Sequence, residues 1–323
     1  MFFTIIIPTR NRSSDLKTCL KHIKLQTYSD YEVLVIDDGS NLNTVTQYAE
    51  SIPSDDRFKL LNINAPTVKG LGASVSRNIG LENAKGFYIT FCDDDDYWTD
   101  NNHLLIAYKT LNNTNIDMYI ANQNAVSSNG QVMYNDWFPL LTGKTSSYKS
   151  ISTENNTYLL STKQLLMESE IPQLNTLVLK KSICTKINGF WQELMYVEDR
   201  DFYLRALEHC NNICYRKDIV SQHNIPDPKV IKSISNSISE YEQHVLMISV
   251  LNHVLTTTNR KEIIQFCTKF LGWKYRNLAL ITQSKPQLIF ARSALINLFT
   301  VKWFLFTQYL NIKYIIKFAF RIK

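Results

Sequence analysis

Apolar residues fall into short runs separated by amphipathic stretches through the first hundred positions. "FFTIIIP" (2–8) is nearly continuous, the pattern of a strand covered on both faces. "YEVLVIDD" (31–38), "FKLLNIN" (58–64) and "FYITFC" (87–92) repeat it. Between the first two, Leu16, Cys19, Leu20 and Ile23 recur at helical spacing, with Ser13 and Ser14 as candidate caps. Further helices are expected at about 43–51 and, after a loop holding Gly70 and Gly72, at about 74–84. Strands alternating with helices predict an α/β fold with a parallel, right-handed, doubly wound sheet.

Beyond residue 100 the pattern loosens. A helix, an apolar stretch "IDMYIAN" (116–122) and "QVMYNDWF" (131–138) precede a Ser/Thr/Asn/Lys-rich segment at 142–157, expected to be a mobile loop. "LNTLVLKK" (174–181), the turn "NGFW" (188–191) and a helix from about 198 to 210 follow, and 240–323 looks largely helical.

Composition changes this picture little. With 45% hydrophobic and 20% charged residues, the 323-residue chain has the makeup of a folded protein. Six scattered cysteines lack zinc-site spacing and are expected to be reduced thiols of a cytosolic chain. "MFFTIIIPTRNR" lacks the basic leader and small-residue cleavage site of a secretory signal. Charge is more informative. Residues 263–323 hold ten Lys or Arg and no acid, so the basic excess lies in the tail, while 1–262 carry 25 bases against 29 acids. No nucleic-acid recognition motif accompanies it, and no nucleic-acid partner is expected.

The chemistry concentrates at the strand ends, where doubly wound sheets bind ligands. "PTRNR" follows the first strand, "DDGS" the second and "DDDDYW" the fourth. Four adjacent aspartates are costly: two carboxylates about 4 Å apart at an effective dielectric near 20 repel by roughly 4 kcal/mol. A cation relieves that; a solvated loop is the alternative. Along an extended segment residues i and i+2 point the same way, which aims Asp93 and Asp95 at one ion. A nucleotidyltransferase would carry a Gly-rich phosphate loop after strand one, and "PTRNRSS" has no glycine. A non-catalytic nucleotide- or glycan-binding scaffold would have lost the acidic residues, which are present.

"IIIPTRNR", "VLVIDDGS", "SRNIGLENAKGFYITFCDDDD", "NGFWQEL" and "EDRDFYLRA" occur in this order over about residues 3–225. Together they resemble the family 2 glycosyltransferases, inverting enzymes with a GT-A fold that use a nucleotide-sugar donor. The resemblance implies a mixed, mainly parallel sheet flanked by helices and a GT-A domain over 1–225. Its nucleotide-binding half would be 1–100 and its acceptor half 101–225; residues 226–323, outside the resemblance, read as a helical, basic extension. It further implies Mn²⁺ or Mg²⁺ at a DXD-type site drawn from Asp93, Asp94 and Asp95, with His223 of "SQHN" near the metal or diphosphate. Asp38 falls where the family contacts uracil or ribose. Pro8, Thr9 and Arg10 lie where the first loop nears the nucleotide, and Arg77 is placed to offer a guanidinium to base or phosphate. Asp199, the second residue of "ED", corresponds to the base that takes the acceptor proton, with Glu198 orienting acceptor or loop. The implied partners are a nucleotide sugar, a uridine diphosphate sugar first, and a glycan or lipid-linked acceptor of bacterial surface polysaccharide.

The basic, aromatic segment 286–323 suits peripheral contact with an anionic leaflet, at about 1 kcal/mol per basic residue near the surface. The expected location is cytoplasmic, on the inner face of the cell membrane.

Overall fold

The structure, a computed structural model, describes residues 1–63, 70–112, 114–167, 171–225 and 237–282. The segment 286–323, with its expected membrane contact, lies outside the described residues. The chain divides into two compact units, Met1–Val230 and Ile231–Lys323.

In the first unit, β1 (Phe3–Thr9) and β2 (Tyr31–Asp37) are almost wholly buried, as continuous apolar runs require. They pair in parallel from Phe3↔Tyr31 to Thr9↔Asp37. β3 (Phe58–Asn62) and β4 (Tyr88–Phe91) join on either side, also in parallel. Helices α1 (Ser13–Lys24), α2 (Leu42–Ser51) and α3 (Ala73–Asn83) form the connections. The core of this half gathers Ile5, Ile7, Leu16, Leu20, Val33 and Val35. The cap of α1 differs from expectation. Arg12 is the cap residue and makes no side-chain cap bond, while the Ser13 hydroxyl reaches Gln47 Oε1 at 2.6 Å.

The sheet then departs from a purely parallel design. β5 (Tyr97–Trp98), α4 (His103–Asn112), β6 (Met118–Ser127) and β7 (Val132–Tyr134) follow. The expected mobile loop at 142–157 is ordered. After α5 (Pro139–Gly143), a hairpin of β8 (Lys149–Ser152) and β9 (Thr157–Leu160) adds to the sheet. Its turn is tied to a distant part of the chain: Asn156 takes a left-handed conformation at φ +51° and its side chain donates to Asp218 Oδ1 at 2.8 Å. Polar composition signalled a turn there; it said nothing of the strands on either side.

α6 (Thr162–Met167), β10 (Leu177–Lys180), α7 (Lys181–Lys186), α8 (Glu198–Leu207) and β11 (Ile213–Ile225) complete the unit. Among the described residues the strand order is β3-β2-β1-β4-β10-β6-β11-β9-β8, with β5 on β11 and β7 on β6. β10 lies antiparallel between β4 and β6, and β11 runs parallel to β6.

The second unit contains α9 (Glu240–Thr257) and α10 (Lys261–Thr282), which pack on each other. Ser239 and Glu242 close a capping box at the start of α9. No described helix is long and apolar enough to cross a membrane. All six cysteines are buried and unpaired by disulfides.

Candidate active site

Parallel register brings the chemistry together. Because Thr9 lies opposite Asp37, and Cys92 N–H bonds Ile6 O at 3.1 Å, the chain leaves β1, β2 and β4 at one rim. Asp38 sits at the second exit, its N–H on Thr9 O at 3.0 Å. Its two carboxylate oxygens take the N–H groups of Leu71 and Gly72, both at 2.7 Å. Asp37 accepts from Ser40 and closes the "DDGS" turn. Asp38 thus ties the second strand's exit to the start of α3.

The four aspartates do not run extended. Asp96 N–H bonds Asp93 O at 3.1 Å, so 93–96 is a turn, and the expected common aim of Asp93 and Asp95 is not met. Like-charge repulsion makes the tight turn reasonable: it spreads the four carboxylates over three partners, Arg77, Arg12 and His223. Asp93 pairs with Arg77 at 2.7 Å. Asp94 accepts from Thr9 at 2.7 Å and pairs with Arg12 at 2.9 Å, and Asp95 pairs with the same Arg12 nitrogen at 2.8 Å. Asp96 receives His223 Nδ1 at 2.9 Å, Asn224 N–H at 2.8 Å and Asn175 Nδ2 at 2.9 Å. His223 therefore serves Asp96, the one aspartate of the run not singled out from the sequence. Its ring also meets Trp137 edge-on, with centroids 5.7 Å apart.

Charge in this turn is in surplus. Desolvation and the neighbouring Asp96 push the Asp95 carboxyl up to about 7 despite Arg12. Desolvation pushes Asp94 up to about 6, against the pull of Arg12 and Thr9. Asp93 is desolvated too, yet the Arg77 guanidinium holds it below the usual carboxylate range.

Arg77 is neither a surface residue nor free for a ligand. It is 4% exposed, and its second nitrogen pairs with Glu198 Oε1 at 2.8 Å. The buried face of α3, with Ser74, Ser76, Arg77 and Asn78, is polar because it carries this bridge and a paired link from Asn78 to the backbone of Phe190. Glu198 begins α8 after Val197, which takes a left-handed conformation at φ +58°. Desolvation, opposed by Arg77 and reinforced by Asp199, raises the Glu198 carboxyl. Asp199 follows directly, half-buried, its carboxylate accepting Arg200 N–H at 2.8 Å. Deeper in α8, Arg205 bonds Asp201 at 2.6 Å and the carbonyl of Gly189, locking the "NGF" turn to the helix.

Sequence inspection missed Arg12. Its position in "PTRNR" was visible, but nothing local shows that it bridges two aspartates more than 80 residues away. Arg10 is half-buried at the same exit and Pro8 is within β1.

Among the described residues no three His, Cys, Asp or Glu side chains stand together as a ready-made metal cage. The donor set nonetheless fits a hard divalent ion, which takes one or two carboxylates and leaves other positions to water or phosphate. The observation that favours it is that Asp94 and Asp95 share a single cationic nitrogen of Arg12.

Residues 4–169, half of the chain, match the model of glycosyl transferase family 2. The chain belongs to this family. An uncharacterized glycosyltransferase of Haemophilus influenzae is 27% identical, over 64% of this chain and 62% of its own. The Escherichia coli UDP-Glc:alpha-D-GlcNAc-diphosphoundecaprenol beta-1,3-glucosyltransferase WfgD is 33% identical, over 40% of this chain and 48% of its own. The matches thus span less than two thirds of these relatives' lengths. Staphylococcus aureus TarS 1–349 in complex with UDP-GlcNAc superposes with a TM-score of 0.65 at 19% identity, covering 91% of this chain and 80% of that one. A mannosyltransferase from Pyrobaculum calidifontis in complex with GDP-Man and Mn²⁺ gives 0.56 at 15% identity, covering 99% and 86%. The fold of this family 2 member is GT-A: a mixed, mainly parallel sheet flanked by helices, with a helical C-terminal region.

Proposed function

We propose that the chain is a metal-dependent inverting glycosyltransferase. It transfers a sugar from a nucleotide sugar, a uridine diphosphate sugar first, to a glycan or lipid-linked acceptor of bacterial surface polysaccharide. The observation that carries this reading is the Asp93–Arg77–Glu198 bridge, which joins the rim of the nucleotide half to the helix start bearing Asp199.

Asp38, Thr9, Arg10 and the chain around Pro8 receive the nucleoside at the exits of β1 and β2. Asp95, with Asp93 or Asp94 beside it, would hold Mn²⁺ or Mg²⁺. A bound ion of this kind neutralises charge on the departing diphosphate. His223 orients Asp96 and so the end of the acidic turn. Asp199, in the first turn of α8, removes the acceptor hydroxyl's proton as the glycosidic bond forms. Glu198, held by Arg77, fixes where that helix begins.

In this reading 1–225 is the catalytic domain and 226–323 a basic extension whose segment 286–323 would hold the enzyme peripherally on the inner face of the cell membrane. WfgD's name, which specifies a diphosphoundecaprenol acceptor, supports this. The test is a panel of UDP-, GDP- and TDP-sugars with Mn²⁺, followed by thermal shift and donor hydrolysis. One sugar nucleotide should raise the melting temperature and be hydrolysed slowly; no response to any of them overturns the reading.

A further inference from the structure

Arg12 and Arg77 both neutralise the acidic turn, but they are built differently. Arg77 is 5% exposed at its side chain and bridges two acids on different elements, so its head is held from both sides. Arg12 is 40% exposed, and both its contacts use one atom, Nη1, which reaches Asp94 Oδ1 and Asp95 Oδ2. Its backbone is fixed instead: the Arg12 N–H donates to the Tyr48 hydroxyl at 3.0 Å, and that hydroxyl also meets Thr9 Oγ1 at 3.0 Å. The pivot is anchored and the charged head is free to leave.

The aspartates match this asymmetry. Asp94 keeps a second anchor on Thr9 when Arg12 departs. Asp95 is 38% exposed, and its Oδ2 is the oxygen that Arg12 covers. One oxygen lone-pair direction cannot serve a guanidinium N–H and a metal ion together. A cation that takes the Oδ2 lone pair facing Arg12 displaces it, and one bound elsewhere on the same carboxylate is repelled by the adjacent guanidinium. The displaced guanidinium stays tethered at the exit of β1, on the rim it shares with Asp38 and the acidic turn, and guanidinium suits phosphate oxygens well.

We propose that Arg12 is an internal counter-ion that occupies the cation's place on Asp95 in the ligand-free protein and passes to the donor diphosphate when the cation binds. This rests on the nucleotide-sugar reading above. Cation and nucleotide are then coupled through one side chain: the cation alone must break the Arg12 pairs, and a diphosphate gives the released arginine a new partner. By linkage, each ligand tightens the other by the same factor.

The test is Mn²⁺ binding followed by electron paramagnetic resonance, on the full chain, with and without UDP. Wild type should bind Mn²⁺ weakly alone and on the order of tenfold or more tightly with UDP. Arg12→Gln, freed of its competing charge, should bind Mn²⁺ alone more tightly than wild type and gain less from UDP. Arg12→Lys, which keeps the charge, should retain the wild-type pattern and serves if Arg12→Gln does not fold. A scaffolding role predicts the opposite sign, weaker Mn²⁺ binding in Arg12→Gln under both conditions, and that result or an unchanged coupling overturns the proposal. Wild type that binds neither UDP nor Mn²⁺ would instead overturn the nucleotide-sugar reading itself.

Discussion

Arg77 on α3 and Glu198 on α8 are 121 residues apart in the chain and 2.8 Å apart in space. The same guanidinium holds Asp93, so one buried cation links the acidic turn to the helix that carries Asp199. Breaking a buried ion network by removing one partner costs about 3–5 kcal/mol, because the remaining charges stay desolvated. Arg77→Met should therefore lower stability by that order in urea unfolding. Arg77→Lys should recover only part of it, since an ammonium cannot present the same planar fork to two carboxylates.

Asp199→Asn should leave UDP affinity within about twofold of wild type and reduce transfer by roughly 10²–10⁴-fold, the range for loss of a general base. Nucleotide titration and a coupled UDP-release assay measure the two separately. Normal transfer by the variant would remove Asp199 from the mechanism.

Gly70→Ala should weaken nucleotide binding. Gly70 has φ +72°, and a Cβ there would lie 2.5 Å from Asp38 Oδ2. The substitution combines backbone strain of about 1–3 kcal/mol with displacement of the carboxylate that the Leu71 and Gly72 amides hold. A lower melting temperature together with a higher UDP dissociation constant is the expected pair of readouts.

His103 provides a pH test away from the site. It is fully buried, its ring near the Trp98 indole, and burial followed by the nearby Arg216 charge lowers its pKa to about 3. The unfolded chain binds this proton near pH 6.5, whereas the folded one does so only near 3. The stability His103 contributes is thus present above about pH 6.5 and lost as pH falls toward 3. Between pH 6.5 and 5 the loss should be about 2 kcal/mol from this residue. His103→Phe should flatten that slope in denaturant melts at fixed pH.

Removal of residues 286–323 should move the protein from the membrane fraction to the supernatant when cells are lysed at low salt, because screening weakens surface attraction to anionic lipid. Equal partitioning of both forms would remove the membrane role assigned to the extension.

The first four strands and three helices were legible because each buried strand needs a continuous apolar run and each helix an apolar stripe, both local patterns. For the same reason the three polar strand exits stood out, and parallel order alone implies that they share a rim. The β8–β9 hairpin was not legible. Its strands are short, β8 is mostly polar, and β9 joins the sheet by pairing with β11, more than fifty residues later.

Sequence alone determined the α/β alternation, the acidic run after β4 and the acidic start of α8, since these are properties of neighbouring residues. Only the tertiary structure decided how the charges are shared: Arg12 with Asp94 and Asp95, Arg77 with Asp93 and Glu198, His223 with Asp96. Coulomb attraction depends on distance in space, and sheet order and register set those distances between residues far apart in the chain.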